Sequence, residues 1–142
     1  MTRMTITQRA LAGAFAGIGA FASAAFAAGA PSGAGLVDKG KYLAQACDCV
    51  ACHTATGGAP LAGGRALDTP FGPLASPNIT PDRETDIGAW SDDDFYRLMH
   101  DGIGKEGEYI YPVMPFPWYT IVTRDDVLAI KAYLFSVPPV HA

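Results

Sequence analysis

The amino-acid sequence predicts an all-α domain of short helices and long loops, arranged around a core that the polypeptide does not fill alone. Three observations support this fold class. Apolar residues recur at helical spacing in three short segments, and two of these segments begin with a capping residue. Residues 54–81 are dense in Gly, Pro, Thr and Asn and follow neither the helical nor the strand period. A loop of this length is uncommon in a compact domain unless it has a function, here wrapping a bound group.

The three helical segments differ in how clearly their ends are marked. The first is predicted over residues 36–46, and it leads directly into a cluster of cysteines. The second follows the capping residue Ser91 and stops at Gly102, and the third follows Thr123 and ends before Pro138. The apolar stripes consist of Val37, Gly40, Leu43 and Ala44 in the first, Phe95, Leu98 and Met99 in the second, and Val127, Ile130 and Leu134 in the third.

Residues 49–53 read C-V-A-C-H, which is the C-x-x-C-H attachment motif of a c-type haem. Cys49 and Cys52 are spaced to add to the two vinyl groups of the haem, and His53 then lies beneath the iron as its proximal ligand. The sequence therefore predicts one covalently attached haem c, which would form the core of the domain.

Closely spaced cysteines also occur in thiol redox pairs and in zinc or iron–sulfur sites. A thioredoxin-type thiol pair belongs near a βαβ pattern, and the chain has no alternating strand and helix rhythm. A zinc or iron–sulfur site would crowd Cys47, Cys49, Cys52 and His53 into seven residues with no second ligand cluster downstream. Both readings are weaker than haem attachment.

A sixth iron ligand is predicted at Met114. It lies in residues 111–118, where three prolines prevent a regular helix and stiffen the loop, so that a thioether can be held against iron with little loss of entropy. Met99 lies in the apolar stripe of its helix, where a packing role is expected. His100, beside that stripe, and His141, near the end of the chain, are the alternative ligands.

The beginning of the chain has the features of a secretory signal peptide, predicted over residues 1–27. Arg3 and Arg9 precede an apolar run over residues 10–26, and residues 25–27 form an A-x-A cleavage site. The apolar run is rich in Ala and Gly, which makes it a weak candidate for a membrane span, although an uncleaved anchor is the alternative. We therefore expect export to the periplasm.

The rest of the chain is predicted to form a single domain. Residues 28–35 are expected to be a flexible leader, residues 36–137 the mono-haem domain and residues 138–142 a tail. The full chain has a net charge of −4, and loss of Arg3 and Arg9 with the signal peptide makes it −6. This negative charge argues against nucleic acid as a partner. A redox protein with a basic or largely uncharged docking face is expected instead.

Over residues 37–137 the sequence resembles a class I cytochrome c domain. Within that group it is similar to the first haem module of the three-haem cytochrome subunit of membrane-bound alcohol, gluconate and sorbitol dehydrogenases. The resemblance rests on residues 39–43 (KGKYL), Cys52-His53-Thr54 with Gly57-Gly58, residues 76–82 (SPNITPD), Ile87-Gly88 with residues 90–92 (WSD), and Tyr111-Pro112 with Met114-Pro115.

The resemblance implies a cytochrome c-like fold, ligation of the iron by His53 and Met114, and electron transfer toward quinone or a terminal oxidase. In that family the substrate chemistry belongs to another subunit, so this chain is expected to be an electron carrier and not an enzyme. The implied partners are a dehydrogenase subunit and a quinone or oxidase system, with peripheral membrane association through a partner.

Three other functions remain open from the sequence. A haem with an open sixth position would act as a peroxidase-like enzyme, and a thiol pair without haem would be an oxidoreductase. Because the resemblance covers one module, the chain is either a genuine single-haem carrier or a shortened, non-functional dehydrogenase subunit.

Supporting roles are predicted for several residues. Trp90 resembles the indole that donates to a haem propionate, with core packing as its alternative. The carbonyl of Pro60, seven residues after the motif, is predicted to accept the second ring N–H of His53. Gly40 and Tyr133 resemble the pair at which the terminal helices of cytochromes c cross.

Cys47 departs from the family pattern, which usually has glycine at this position. Once Cys49 and Cys52 form thioethers, Cys47 has no partner in the chain. It is expected to be an inert small residue, with a disulfide-linked dimer or misattached haem as alternatives.

Overall fold

A computed structural model describes residues 33–142. The predicted signal peptide and the first residues of the predicted leader, 28–32, lie outside the described residues. The described part is mainly helical with one small antiparallel sheet, in agreement with the predicted fold class. Its elements are helices α1 (Gly33–Ala46), α2 (Cys49–Cys52), α3 (Asp92–Asp101), α4 (Phe116–Tyr119) and α5 (Arg124–Leu134), strands β1 (Ala66–Leu67) and β2 (Leu74–Ala75), and a turn of 3₁₀ helix over Ile87–Ala89.

Helix α1 begins at Gly33, three residues before the predicted start. The expectation of a flexible leader is therefore wrong for its last three residues. Ala34 and Leu36 both favour the helical conformation, and the partial burial of Gly35 and Leu36 offsets the low helix propensity of glycine. The helix then runs to Ala46 and delivers the chain to the cysteine cluster, as predicted.

Helices α1 and α5 form the main helix pair of the domain, and they cross at Gly40. A Cβ atom placed on Gly40 would lie 1.8 Å from the carbonyl oxygen of Ala129 and 3.0 Å from Cβ of Tyr133. Only glycine permits this close approach of two backbones. The predicted pairing of Gly40 with Tyr133 is confirmed.

We expect Gly40→Ala to destabilise the domain by about 1–3 kcal/mol, because the new methyl group must push α5 away from α1. The measurement is the free energy of unfolding of the holoprotein in denaturant. Gly33→Ala is the matched control, since it lies in the same helix with nothing within 4 Å of its added Cβ. A loss in Gly40→Ala no larger than in Gly33→Ala would contradict this account.

The caps of α3 and α5 agree with the sequence prediction. Ser91 and Asp94 form a reciprocal capping box, in which the Ser91 hydroxyl accepts the N–H of Asp94 and the Asp94 carboxylate accepts the N–H of Ser91. Helix α3 ends at Gly102, whose φ of 68° is left-handed. The Thr123 hydroxyl caps α5 by accepting the N–H of Asp126. Of the stripe residues predicted for α3 and α5, the structure buries Phe95, Met99, Val127, Ile130 and Leu134.

The segment 54–81 is mostly loop, as predicted, but it contains the β1–β2 pair, which the sequence did not indicate. Two residues in each strand are too few to show an alternating pattern. The loop folds back at Gly63, where an added Cβ would lie 2.4 Å from the carbonyl carbon of Pro77. This close approach brings residues 76–80 beside the start of the loop.

Two further segments are more ordered than the sequence indicated. The proline-rich stretch, expected to be non-helical, contains the single turn α4, which is allowed because Pro117 lies in the first turn of that helix. The predicted tail is tied to the long loop. Val140 accepts a hydrogen bond from the Asn78 amide at 2.7 Å and donates one to the Thr80 hydroxyl at 3.0 Å.

A core of buried side chains joins the helices to the long loop. The buried apolar residues are Ala44, Leu61, Ile87, Phe95, Met99, Val127, Ala129, Ile130 and Leu134.

No helix within residues 33–142 is long and apolar enough to cross a membrane.

Candidate functional site

The helices and the long loop enclose a cavity of about 520 Å³. This volume lies within the range of roughly 300–1,000 Å³ that is usual for cofactor and ligand sites. The wall is predominantly apolar and includes five side chains that are at most 3% exposed, namely Ile87, Phe95, Met99, Ile130 and Leu134. Part of the buried core of the domain thus also forms the wall of this cavity.

The three chemical groups of the C-x-x-C-H motif all line this cavity. Asp48, with a left-handed φ of 58°, turns the chain between α1 and α2. Cys49 and Cys52 are the first and last residues of α2, and at a spacing of three their side chains share one face of the helix. His53 follows, with its N–H donating to the carbonyl of Cys49 at 2.9 Å. The one-turn helix therefore presents both thiols and the imidazole to the same space.

The imidazole of His53 is oriented by Pro77 and not by Pro60, so the predicted role of Pro60 is wrong. Nδ1 of His53 lies 2.8 Å from the carbonyl oxygen of Pro77. Pro60 is exposed and does not line the cavity. Pro77 takes this position because the chain approaches itself closely at Gly63. The N–H of Gly63 donates to the His53 carbonyl at 2.9 Å, and the Gly63 backbone packs against that of Pro77.

The protonation states of the motif favour metal ligation over thiol redox chemistry. A carbonyl only accepts, so Nδ1 of His53 carries the hydrogen and Nε2 keeps its lone pair for a metal. Burial lowers the pKa of His53, which keeps the ring neutral, although the bond to Pro77 opposes this effect. Burial raises the pKa of Cys49 to about 12, whereas thioredoxin-type cysteines have lowered pKa values.

Of the candidates for a sixth ligand, Met114 lines the cavity and the two histidines do not. The ring of His100 stacks on Tyr96, with centroids 5.2 Å apart, and its Nδ1 lies 2.6 Å from the Asp101 carboxylate. His141 is exposed, with Nδ1 3.7 Å from the Asp82 carboxylate. The structure therefore brings the thioether predicted as ligand to the same cavity as His53.

Met99 also lines the cavity, but its setting differs from that of Met114. It is 3% exposed and packs within the apolar core on α3. Met114 is partly buried in the loop, where its N–H donates to the Tyr111 carbonyl at 3.3 Å and its carbonyl accepts from Phe116 at 2.8 Å. Met114 as ligand and Met99 as packing residue remain predictions, and the geometry is compatible with both.

Trp90 lies on the cavity wall, and a buried lysine holds its backbone. The Lys131 side chain donates to the Trp90 carbonyl at 2.8 Å and to the Asp92 carboxylate at 2.7 Å. Only 10% of the lysine side chain is exposed, and this ion pair joins the start of α3 to α5 beside the site. The indole is thus placed at the cavity, where its predicted contact with a propionate stays a prediction.

Sequence reasoning missed three residues of the site, namely Pro77, Tyr119 and Asp86. The Tyr119 hydroxyl donates to the Cys47 carbonyl at 3.0 Å, which ties α4 to the turn before the motif. Asp86 lines the cavity, and its Oδ2 atom is buried without a hydrogen-bond partner. None of the three stands in a local pattern that indicates a role, because Pro77 and Tyr119 bond to residues 24 and 72 positions away and Asp86 is distinguished only by its burial.

Cys47 lines the cavity as a free and partly buried thiol. Burial raises the pKa of the thiol, so it is a poor nucleophile at neutral pH. This setting is compatible with the predicted inert role, and the disulfide-linked alternative remains untested.

These residues fit a haem. The cavity offers two thiols on one face, a neutral imidazole with a free nitrogen, a thioether and an apolar wall, which together are the donor set and environment of a c-type haem. Such a fold and site define a c-type haem protein.

The chain belongs to the cytochrome c family, since residues 37–138 match the family model described as cytochrome c. This family implies covalently bound haem c, as predicted from the motif. The predicted resemblance and fold class are confirmed.

Several curated relatives are similar to this chain. It is 49% identical over 106 residues to the gluconate 2-dehydrogenase cytochrome c subunit of Pantoea cypripedii, covering 74% of this chain and 24% of that protein. It is 42% identical over 106 residues to the cytochrome c subunit of the quinone alcohol dehydrogenase of Gluconobacter oxydans, covering 74% and 22%. It is 34% identical over 110 residues to a diheme cytochrome c-type protein of Cereibacter sphaeroides, covering 74% and 37%.

The chain thus spans between about a fifth and two fifths of the length of these relatives. Two of them are named as cytochrome c subunits of dehydrogenases, which are electron carriers and not the catalytic subunits. The predicted class of function, a c-type cytochrome that transfers electrons, is confirmed.

Proposed function

We propose that this cytochrome carries one haem c on Cys49 and Cys52, with His53 and Met114 as its axial ligands, and passes single electrons between redox partners. The observation that supports this proposal is the convergence of both thiols, the imidazole and the thioether on one cavity. Among residues 33–142, C-x-x-C-H occurs once, which supports a single haem.

Each of these residues has a distinct task. Cys49 and Cys52 tether the cofactor, and the Pro77 carbonyl holds the His53 ring in the orientation that points Nε2 away from the bond. The apolar wall excludes water and so disfavours the higher charge of the oxidised state. When bound, the haem supplies one-electron chemistry between ferric and ferrous iron.

We further propose that the electron donor is a dehydrogenase subunit on the periplasmic side, and that the acceptor is a quinone or terminal oxidase system. The dehydrogenase is supported by the names of the relatives. The compartment is supported by the predicted signal peptide, and by the need for covalent haem attachment outside the cytoplasm. Any membrane association would then be peripheral and made through a partner.

The test is a redox titration of the purified holoprotein, together with a measurement of its iron content per polypeptide chain. We expect one haem per chain, covalently retained under denaturing conditions, and a reversible one-electron transition in the absorption spectrum. Two or more electrons per chain, or a chain that holds no iron, would overturn the proposal.

A haem with an open sixth position is the competing function. It predicts rapid carbon monoxide binding by the ferrous protein and turnover with peroxide. The carrier proposal predicts neither, because both axial positions are taken by protein ligands.

A further inference from the structure

Asp86 lies in the wall of the cavity with one carboxylate oxygen that has no hydrogen-bond partner among residues 33–142. It precedes the 3₁₀ helix Ile87–Ala89, and its side chain makes no cap hydrogen bond there. Its Oδ2 atom is buried and has no hydrogen-bond partner within the described residues. The residue as a whole is only partly buried, so protons can exchange with solvent. A buried carboxylate oxygen with no donor is costly, since ionised groups lose hydration that nothing replaces.

The surroundings of Asp86 favour the protonated acid. Burial raises the pKa of Asp86 to about 7, the backbone N–H of Ile87 opposes this rise, and the charge of Asp82 adds to it. The other titratable side chains that line the same cavity are Cys47, Asp48, Cys49, Cys52, His53, Glu108, Tyr111 and Tyr119. Outside the cavity lining, His141 lies beside Asp82, and Lys131 pairs with Asp92.

We propose that Asp86 is a redox-linked proton site, at which the carboxylate binds a proton when the haem is reduced and releases it when the haem is oxidised. This inference rests on the proposed one-electron function. It adds to that function a coupling between electron transfer and pH, carried by a residue that is not an iron ligand.

A bound haem would accept one electron from the redox partner, and one proton from solvent would then form an O–H bond on the Asp86 carboxylate. When the electron leaves to the next carrier, that O–H bond breaks and the proton returns to solvent. The added electron makes the cavity more negative, so the acid form is favoured in the reduced protein.

The reduction potential is expected to fall as the pH rises. Asp86 has a lower pKa in the oxidised protein than in the reduced protein. Between these two pKa values, raising the pH removes the proton from Asp86 and makes reduction harder. The limit for one proton per electron is about 59 mV for each tenfold change in proton concentration. Below the oxidised-state pKa and above the reduced-state pKa the potential no longer depends on this group.

The experiment is the reduction potential of the holoprotein measured from pH 5 to pH 9 in wild type and Asp86→Asn. We expect the wild-type potential to fall with pH around neutrality and the variant to lose that slope. Glu108→Gln is the matched control, because Glu108 is an exposed carboxylate on the same cavity wall, and it should keep the wild-type slope. Equal slopes in wild type and Asp86→Asn would overturn the proposal, since the haem propionates would then account for it.

Infrared difference spectra between reduced and oxidised protein give a second readout. We expect a protonated-carboxyl C=O band to appear on reduction of the wild type and to be absent in Asp86→Asn. If Asp86→Asn does not fold, the wild-type spectrum decides alone, because no such band on reduction refutes the inference. A protein with no reversible one-electron potential would instead refute the proposed function.

Discussion

Replacing Met114 with alanine is expected to lower the reduction potential and to open the iron to carbon monoxide and cyanide. A thioether favours ferrous iron more than a nitrogen or water ligand does, and axial ligation spans about 0.8 V across haem proteins. Met114 lies on the cavity wall in a loop whose backbone is fixed to Tyr111 and Phe116. The loop thus holds Met114 in place at the cavity before any haem is bound.

The measurements are the potential, the near-infrared sulfur-to-iron band of the ferric protein, and carbon monoxide binding by the ferrous protein. Met99→Ala is the matched control, since it removes the same side chain from the same cavity. It should keep the band and lose only packing, about 2–5 kcal/mol of stability for a buried methionine. Loss of the band in Met99→Ala instead would show that the ligand has been assigned to the wrong methionine.

The helices that could be predicted are those whose signals are local. Ser91 and Asp94 lie three residues apart, and the capping box they form stabilises the start of α3 whatever the rest of the chain does. The spacing of Val127, Ile130 and Leu134 likewise marks the buried face of α5. Helix α1 was predicted, but its start was not, because Gly33 and Gly35 have low helix propensity and no side chain that would extend the apolar stripe.

The haem site divides in the same way between local and distant contacts. The thiols and imidazole could be predicted because attachment needs them within five residues. The orienting carbonyl could not, since Pro77 lies 24 residues from His53 and reaches it only through the fold of the long loop. Pro60 is close to His53 in the sequence, only seven residues away. The close approach of the chain at Gly63 nevertheless places the Pro77 carbonyl, and not that of Pro60, beside the imidazole.

Asp86 shows why a buried titratable group is hard to predict from sequence. Asp82, Asp86 and Asp92 look alike in an acidic, loop-rich segment. Thr85 and Glu84 donate backbone N–H groups to the Asp82 carboxylate and lower its pKa, whereas Asp86 is turned into the cavity and has a raised pKa. The difference is one of burial, which only the tertiary structure decides.

Replacing Cys49 or Cys52 with alanine is expected to abolish stable covalent attachment of the haem. Wild-type haem should stay with the polypeptide through denaturation and acid–organic extraction, and most haem should be extracted from either variant. The thiols lie on one face of a single helical turn, so neither can take over the bond of the other. The measurement is the haem absorbance that remains on the chain after extraction.

Cys47→Ala provides the control, because it removes a third thiol from the same cavity wall outside the motif. It should retain the haem, and loss of attached haem in Cys47→Ala alone would contradict the assignment of the motif. The cavity wall also supplies much of the buried core, so without haem the side chains of Phe95, Ile130 and Leu134 lose the packing partner that would fill the space beside them. We therefore expect the haem-free chain to be largely unfolded by circular dichroism, as in other small domains whose core depends on a bound group. A well-folded haem-free protein would show that the polypeptide core alone is sufficient.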